Sequence, residues 1–467
     1  MTTREKLSLK SKMAYGGLGA GIGLPSQIAF TAITFFYNTT LGLDAKSLGI
    51  AWLIFSFWNA INDPIFGFIE DHTKSEKYGR RIPYIRFGAP LYGLSFILCW
   101  IPFLNINSQI ALFFNFIIVL FIFDTLFTIL GLINLTLPAE MAITTKERAN
   151  LLIYGTIMSS ISYIIAFILP LVLLTGSQAP DKPQIFIFTM VIIGIIAALI
   201  LFLSSYHLKE NKYTQLEETL PVIQGIKETF KNKPFMVYEV ANFSFTIAQT
   251  ILTTAIYYYA DYMLRLPGFL NSLPLGLVFL MIFAFLSVFN KLLNKYHVKR
   301  TFIFANLLMG IGFLLTFFFG WILYSALFGF IIIGVGFSGY LLLNQVLFAD
   351  IVDYDEIRTG KRRETTYSGM NALITKPGIS LANWLFLLII DSFAFDPDKT
   401  VQDFPAQLGI MIGFSLIPSI FMIIGALAMF YYPLDGPQWL TQKEEIFNIH
   451  KEKERVYLEY LGKNKNR

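Results

Sequence analysis

WNAINDPIFGFIEDHTKSEKYGRR, Trp58–Arg81, begins as the end of an apolar run and finishes as a burst of charge. Inside the run it sets a carboxylate, Asp63, directly before Pro64. The run reaches back to Ser47 and on to Ile69. A stretch of about 20 apolar residues crosses a hydrocarbon core of about 30 Å, so Ser47–Ile69 reads as a membrane span and the charges after it as a return to water. An ionisable group at that depth costs roughly 2.5–3.5 kcal/mol on insertion scales. Asp63 is therefore expected to be functional, the alternative being an acid neutralised by a partner for packing alone.

Outward from this span the same pattern recurs eleven times, at Tyr15–Leu41, Tyr84–Leu104, Gln109–Leu137, Leu151–Leu174, Ile185–Tyr206, Phe235–Leu264, Leu273–Leu293, Thr301–Leu323, Tyr324–Phe348, Tyr367–Ile390 and Leu408–Tyr432. With 55% hydrophobic, 16% aromatic and 14% charged residues among 467, the composition predicts an all-α polytopic membrane protein, not a string of soluble domains. Cytoplasmic loops carry the excess of Lys and Arg. If the N-terminus is inside, the outer loops hold only Lys46, Lys182, Arg265 and Lys399, and every other basic cluster falls on the inner side. Both termini are thus expected to be cytoplasmic in a multi-pass cell-membrane protein. The net charge of +5 follows from that topology and calls for no nucleic-acid partner.

The lone Cys99 excludes an internal disulfide, and His72, His207, His297 and His450 all fall in inner segments. No catalytic grouping built on His, Cys or Ser is present, so no enzyme, cofactor or metal site is expected. The run GGLGAGIG, Gly16–Gly23, lacks the strand and spacing of a nucleotide loop and reads as small residues that let helices approach.

The polar segment His207–Pro234 divides the spans six and six. This gives an N-terminal bundle over 1–206, a central loop over 207–234, a C-terminal bundle over 235–433 and a tail over 434–467. A weak repeat supports the division. LPAEMAITTKERANLLIYG from Leu137 and LFADIVDYDEIRTGKRRETTYSG from Leu347 both give alanine, an acid, an apolar residue and then mixed charge before the next span. Two six-helix halves of this kind, with a substrate site between them near the midplane, make the major facilitator architecture. In the tail, Thr441 and Glu444 have capping-box spacing for a helix.

In the second span Asn59, Asn62 and Asp63 are three and four residues apart, so Asn59 and Asp63 share a face. Lys376, before Pro377 in the eleventh span, is the natural counter-charge for Asp63, whether it serves transport or only ties the halves together. Asp124 in the fourth span shares a face with Thr128 and Gly131. Glu239 and Asp261 lie near the ends of the seventh span, where reaching water makes a charge cheap.

WNAINDPIFGFIEDHTKSEKYGRRIPYI and FADIVDYDEIRTGKRRETTYSGMNALITKPG, Phe348–Gly378, resemble the signatures of the glycoside/pentoside/hexuronide:cation symporter family, and PAEMAITTKERANL resembles its loop after the fourth span. The resemblance implies the major facilitator fold, alternating access and cation-coupled transport of a sugar or related solute. It places the coupling carboxylate on Asp63 with Asn62 beside it, the lysine near cation and sugar on Lys376, and a polar residue one turn earlier on Asn371. The family's second cation-site acid falls on Asn59, and acids of melibiose permease fall on Gly131 and near Gly23, so galactoside specificity is not implied. Asp124 stands on the same face as Gly131 and is a candidate to replace the missing acid. Asp71, Arg80 and Arg81, with Glu140, Arg148, Asp350 and Arg362, are expected to form a gate of ion pairs on the cytoplasmic side. Such pairs are individually weak, as a gate that opens requires.

The expected function is a cation-coupled symporter of a sugar or glycoside, working as a monomer. The alternatives are a lysolipid or amphiphile carrier of the same fold and a non-transporting sensor. The substrate set is Lys376, Asn371, Asp124, Thr128, Gln27, Gln249, Tyr257 and Trp384. The coupling ion is expected to be H⁺, with Na⁺ the alternative. Na⁺ wants several oxygen ligands and net negative charge, whereas Asn59 in place of a second acid leaves one carboxylate with amides.

Overall fold

The computed structural model describes residues 7–73, 79, 81–142, 145–175, 182–209, 229–266, 268–360, 363–436, 439–446 and 448. Most of the central loop, the end of the tail, Arg80 and Arg362 lie outside them, as does the side chain of Asp71. Among the described residues the chain forms twelve long helical spans and no strand.

Helix α1 (Leu9–Phe35) starts at Ser8, whose hydroxyl accepts from the Ser11 N–H, and ends in a π turn, Phe36–Thr40. In α2 (Ala45–His72) the Asp44 carboxylate accepts from the Ser47 N–H. These side chains satisfy first-turn donors that have no partner inside a helix. α3 (Ile82–Leu98), α4 (Gln109–Met141), α5 (Thr145–Leu174) and α6 (Lys182–Ser204) follow. The second series opens with α7 (Lys233–Tyr258), capped by Asn232 and extended by a π turn, Tyr259–Leu264. It continues as α8 (Leu273–Tyr296), α9 (Val298–Phe319), α10 (Leu323–Thr359), α11 (Glu364–Ser392) and α12 (Phe404–Met429).

The observed helices coincide with the twelve expected spans, most ends agreeing to within several residues, while α10 runs on from the expected end at Phe348 to Thr359; one qualification concerns composition. Eight segments are long and apolar enough to cross a membrane, and one of them, Phe269–Phe319, contains both α8 and α9. α2 and α7 fall short of that standard and α3 has only 17 residues. α2 and α7 fall short because they carry polar side chains that face protein and not lipid. In the tail, residues 439–446 are helical, so Thr441 lies inside a helix and not at its cap.

Packing partners fall into two sets. α1 lies against α5 and α6, α2 against α4, and α3 against α4 and α6. α7 lies against α11 and α12, α9 against α10 and α12, and α8 against α10. Association in lipid depends on close packing more than on a hydrophobic drive, and glycines supply it. A Cβ on Gly336 of α10 would stand 2.5 Å from the Met309 nitrogen of α9, and one on Gly93 of α3 would stand 2.6 Å from the Gly194 carbonyl oxygen of α6.

The two sets meet along α2 with α11, α1 with α7, and α5 with α8. At the face opposite the termini the Thr34 hydroxyl donates to Asn383 Oδ1 (3.0 Å) and the Tyr258 hydroxyl to Asn38 Oδ1 (3.0 Å). There too Asn271 Nδ2 donates to Thr175 Oγ1 (2.9 Å), and the rings of Phe167 and Phe279 lie 5.1 Å apart. The hydrogen bonds Thr34–Asn383, Tyr258–Asn38 and Asn271–Thr175 and the Lys376–Asp63 ion pair join the sets from mid-helix to that face. Toward the termini, Gly67, Gly131 and Gly369 have no atom of a neighbour within 4 Å of where a Cβ would stand. Among the described residues the two sets are joined on the face opposite the termini.

Candidate functional site

At the inner limit of the closed half, α2, α4 and α11 bring six polar side chains together. Proline at the position after Asp63 and after Lys376 removes a backbone donor on each helix at the same level. Lys376 forms an ion pair with Asp63, each side chain 19% exposed. Its ammonium also donates to Asn62 Oδ1 (3.4 Å) and Thr128 Oγ1 (3.5 Å). Asn62 Nδ2 donates to Thr128 Oγ1 (3.0 Å) and to Asp124, and Asn59 Nδ2 donates to the Lys376 carbonyl (3.3 Å). Asn59, Asn62, Asp124 and Thr128 are all buried. The cluster holds two carboxylates and one cation, so it is one positive charge short of neutral.

The other expected substrate residues are spread more widely. Tyr257 is buried beside Thr31, its oxygen 3.4 Å from the Thr31 hydroxyl, and Trp384 packs on Gly49, so both belong to the closed contact between the sets. Gln27 and Gln249 are half-buried on α1 and α7, and their backbone carbonyls accept from Thr31 and Thr253. Asn371 stands one turn nearer the termini than Lys376 and joins a different cluster with Asn242 and Glu239.

Of the expected gate, Arg80, Arg362 and the side chain of Asp71 lie outside the described residues, and the other members have these partners. Arg81 pairs with Glu140 inside the first set, and Arg148 donates to the Ala142 carbonyl (3.3 Å). Asp350 pairs with Lys443 of the tail (2.5 Å) and accepts from the Trp439 indole (3.3 Å).

Two groupings escaped the sequence reading. One is this docking of the tail on Asp350, which the positions of Trp439 and Lys443 do not announce. The other is Glu239, expected to reach water but only 2% exposed. It lies six residues into α7, and only the covering by α10 and α11 buries it.

Comparison with known proteins places this arrangement. A family described as MFS/sugar transport protein matches residues 14–436. The chain belongs to the MFS/sugar transport family. This transporter is 25% identical to the "Uncharacterized symporter YnaJ" of Bacillus subtilis, over 98% of each chain. It is 23% identical to the "Isoprimeverose transporter" of Lactiplantibacillus pentosus, over 90% of this chain and 88% of that one. Its fold resembles that of a D-xylose-proton symporter, with a TM-score of 0.66 at 14% identity over 91% of this chain and 97% of that one. The major facilitator fold of twelve helices and a transport activity, not an enzymatic one, follow from the family.

Proposed function

We propose that this transporter carries a sugar or glycoside together with a cation, and that Asp63, Lys376 and Asp124 are its coupling centre. The observation that carries the reading is a single lysine shared by two carboxylates where the two sets meet. α2 and α11 belong to different sets, so the halves cannot rock past one another without remaking the Asp63–Lys376 pair. A cation that neutralises a carboxylate changes the cost of parting them, which is how binding energy reaches the conformational equilibrium.

The coupling ion is H⁺ in this reading. The Lys376 ammonium already occupies the space among the oxygens of Asp63, Asn62 and Thr128. A proton on either carboxylate cancels the remaining charge without displacing it, whereas Na⁺ needs several of those oxygens at once. The solute enters from the face of the termini to meet Lys376, Asp124, Thr128 and Asn371, with Gln27 and Gln249 on the walls and Tyr257 and Trp384 above. One chain holds the whole centre, so a monomer suffices. The membrane is the cell membrane, with both termini cytoplasmic. In right-side-out vesicles, cysteines placed in the 207–234 loop of a Cys99→Ser chain are expected to resist an impermeant thiol reagent, and ready labelling would reverse the orientation.

A thermal-shift screen tests the substrate class, because a ligand that binds the folded state raises its stability by RT ln(1 + [L]/Kd). Pentoses, hexoses and glycosides, isoprimeverose among them, are expected to raise Tm and lysolipids to leave it unchanged. In proteoliposomes an imposed pH gradient is then expected to drive uptake of the hit more strongly than a Na⁺ gradient. The opposite ranking of ligands would make the protein an amphiphile carrier, and binding without uptake would make it a sensor.

A further inference from the structure

Glu239 lies about 9 Å along α7 from Lys233, at a rise of about 1.5 Å per residue. It is 2% exposed, and its polar neighbours are the side-chain amides of Asn242 and Asn371. No Lys, Arg or His faces it among the described residues. The titratable groups around it are phenols, Tyr238 of α7 and Tyr340 of α10, which are ordinarily neutral below about pH 10. α11 presents Asn371. An unpaired carboxylate in such a place is so costly that it is neutralised instead.

The hydrogen-bond chain fits the neutral form. The Asn371 side-chain oxygen, as placed, lies 3.1 and 3.3 Å from the two carboxyl oxygens of Glu239, and it accepts from Asn242 Nδ2 at 2.5 Å. Asn242 Oδ1 in turn accepts from the Tyr340 hydroxyl at 2.5 Å. With a proton on Glu239, its O–H donates to Asn371 Oδ1 and the Glu239–Asn371–Asn242–Tyr340 links keep the donors and acceptors they are placed with. With Glu239 ionised, Asn371 has to turn its amide so that nitrogen faces the carboxylate. That sets its nitrogen against the Asn242 nitrogen, so Asn242 has to turn as well and present nitrogen to Tyr340. Amide orientation is assigned from such networks. Here only the protonated acid satisfies the network without two turns.

We propose that Glu239 is a proton-binding site of the α7–α12 set, separate from the Asp63–Lys376 cluster, and that it holds its proton in the arrangement described above. Loss of that proton obliges Asn371 to turn, and Asn371 stands on the helix that carries Lys376. The state of Glu239 is thereby read by α7, α10 and α11 together.

Infrared difference spectra of the full chain in lipid vesicles, without any transported solute, test this. The unsubstituted protein is expected to show a carboxylic-acid C=O band at neutral pH that Glu239→Gln removes and Asp63→Asn leaves in place. Asn371→Ala, which deletes the acceptor, is expected to shift that band. Thermal stability gives a second readout. An acid that is protonated when folded but ionised when unfolded, where glutamate titrates near about pH 4.3, makes the folded state bind more protons, so stability falls as pH rises. Tm of the unsubstituted protein is expected to fall between about pH 6 and about pH 9, and Tm of Glu239→Gln to fall less. Identical spectra and identical pH slopes for the two proteins would overturn the proposal. Either result leaves the symport reading to its own transport assays.

Discussion

Asp63→Asn is expected to abolish gradient-driven accumulation while sparing downhill exchange. The amide keeps the volume of the carboxyl and its place before Pro64, so the path for the solute stays open. It cannot change charge, and the energetic link between the cation and the parting of α2 from α11 depends on that change. Lys376 retains Asn62 and Thr128 as partners and Asp124 as the nearest acid, so the fold is not left with an unmatched cation. The measurement is uptake of the solute identified by thermal shift, in proteoliposomes with an imposed pH gradient. Equilibration without accumulation is the expected outcome. Full accumulation would place coupling elsewhere in the molecule.

Lys376→Ala is expected to act on stability and transport together. It removes the cation shared by Asp63 and Asp124, and breaking a buried pair from one side costs about 3–5 kcal/mol. Both side chains of the pair are 19% exposed, so water offsets part of that and the lower end of the range applies. Tm, solute affinity and accumulation are all expected to fall. Adding Asp63→Asn to Lys376→Ala removes the stranded charge and is expected to restore Tm but not accumulation, which separates the electrostatic cost from the functional one. Normal transport by Lys376→Ala at normal expression would reduce Lys376 to a packing residue.

The sequence made the spans legible because crossing lipid imposes a length and a composition that few other constraints imitate. It made Asp63 and Lys376 legible for the converse reason, since a charge inside such a run stands out against its surroundings. Their proximity followed from charge balance, and that of Asp124 to Asn62 and Thr128 only from the way α2 crosses α4. What the chain did not disclose depends on covering by distant segments. Glu239 sits at a position along α7 where water is normally within reach, and nothing local signals that Tyr340 and Asn371 close over it. Asp350 carries a gate signature, yet its partners come from Trp439 and Lys443, 89 and 93 residues away. Trp384 is one of the expected substrate residues, and its packing on α2 at Gly49 follows from the way α11 crosses α2, which no local pattern announces.

The contact that shuts the face opposite the termini is built from neutral groups: hydroxyls on amide oxygens at Thr34–Asn383 and Tyr258–Asn38, an amide on a hydroxyl at Asn271–Thr175, and aromatic rings. Mobile ions screen charges over about 8 Å at physiological ionic strength and leave neutral donors and acceptors almost untouched. The salt concentration on that face therefore exerts little pull on the strength of this contact. The ion pairs Arg81–Glu140, Arg363–Asp355 and Lys443–Asp350 stand instead on the face of the termini. The hold between the sets on the face opposite the termini is thus one whose strength the surrounding electrolyte does not set, even though an exposed ion pair, Lys399–Asp403, stands on the same face.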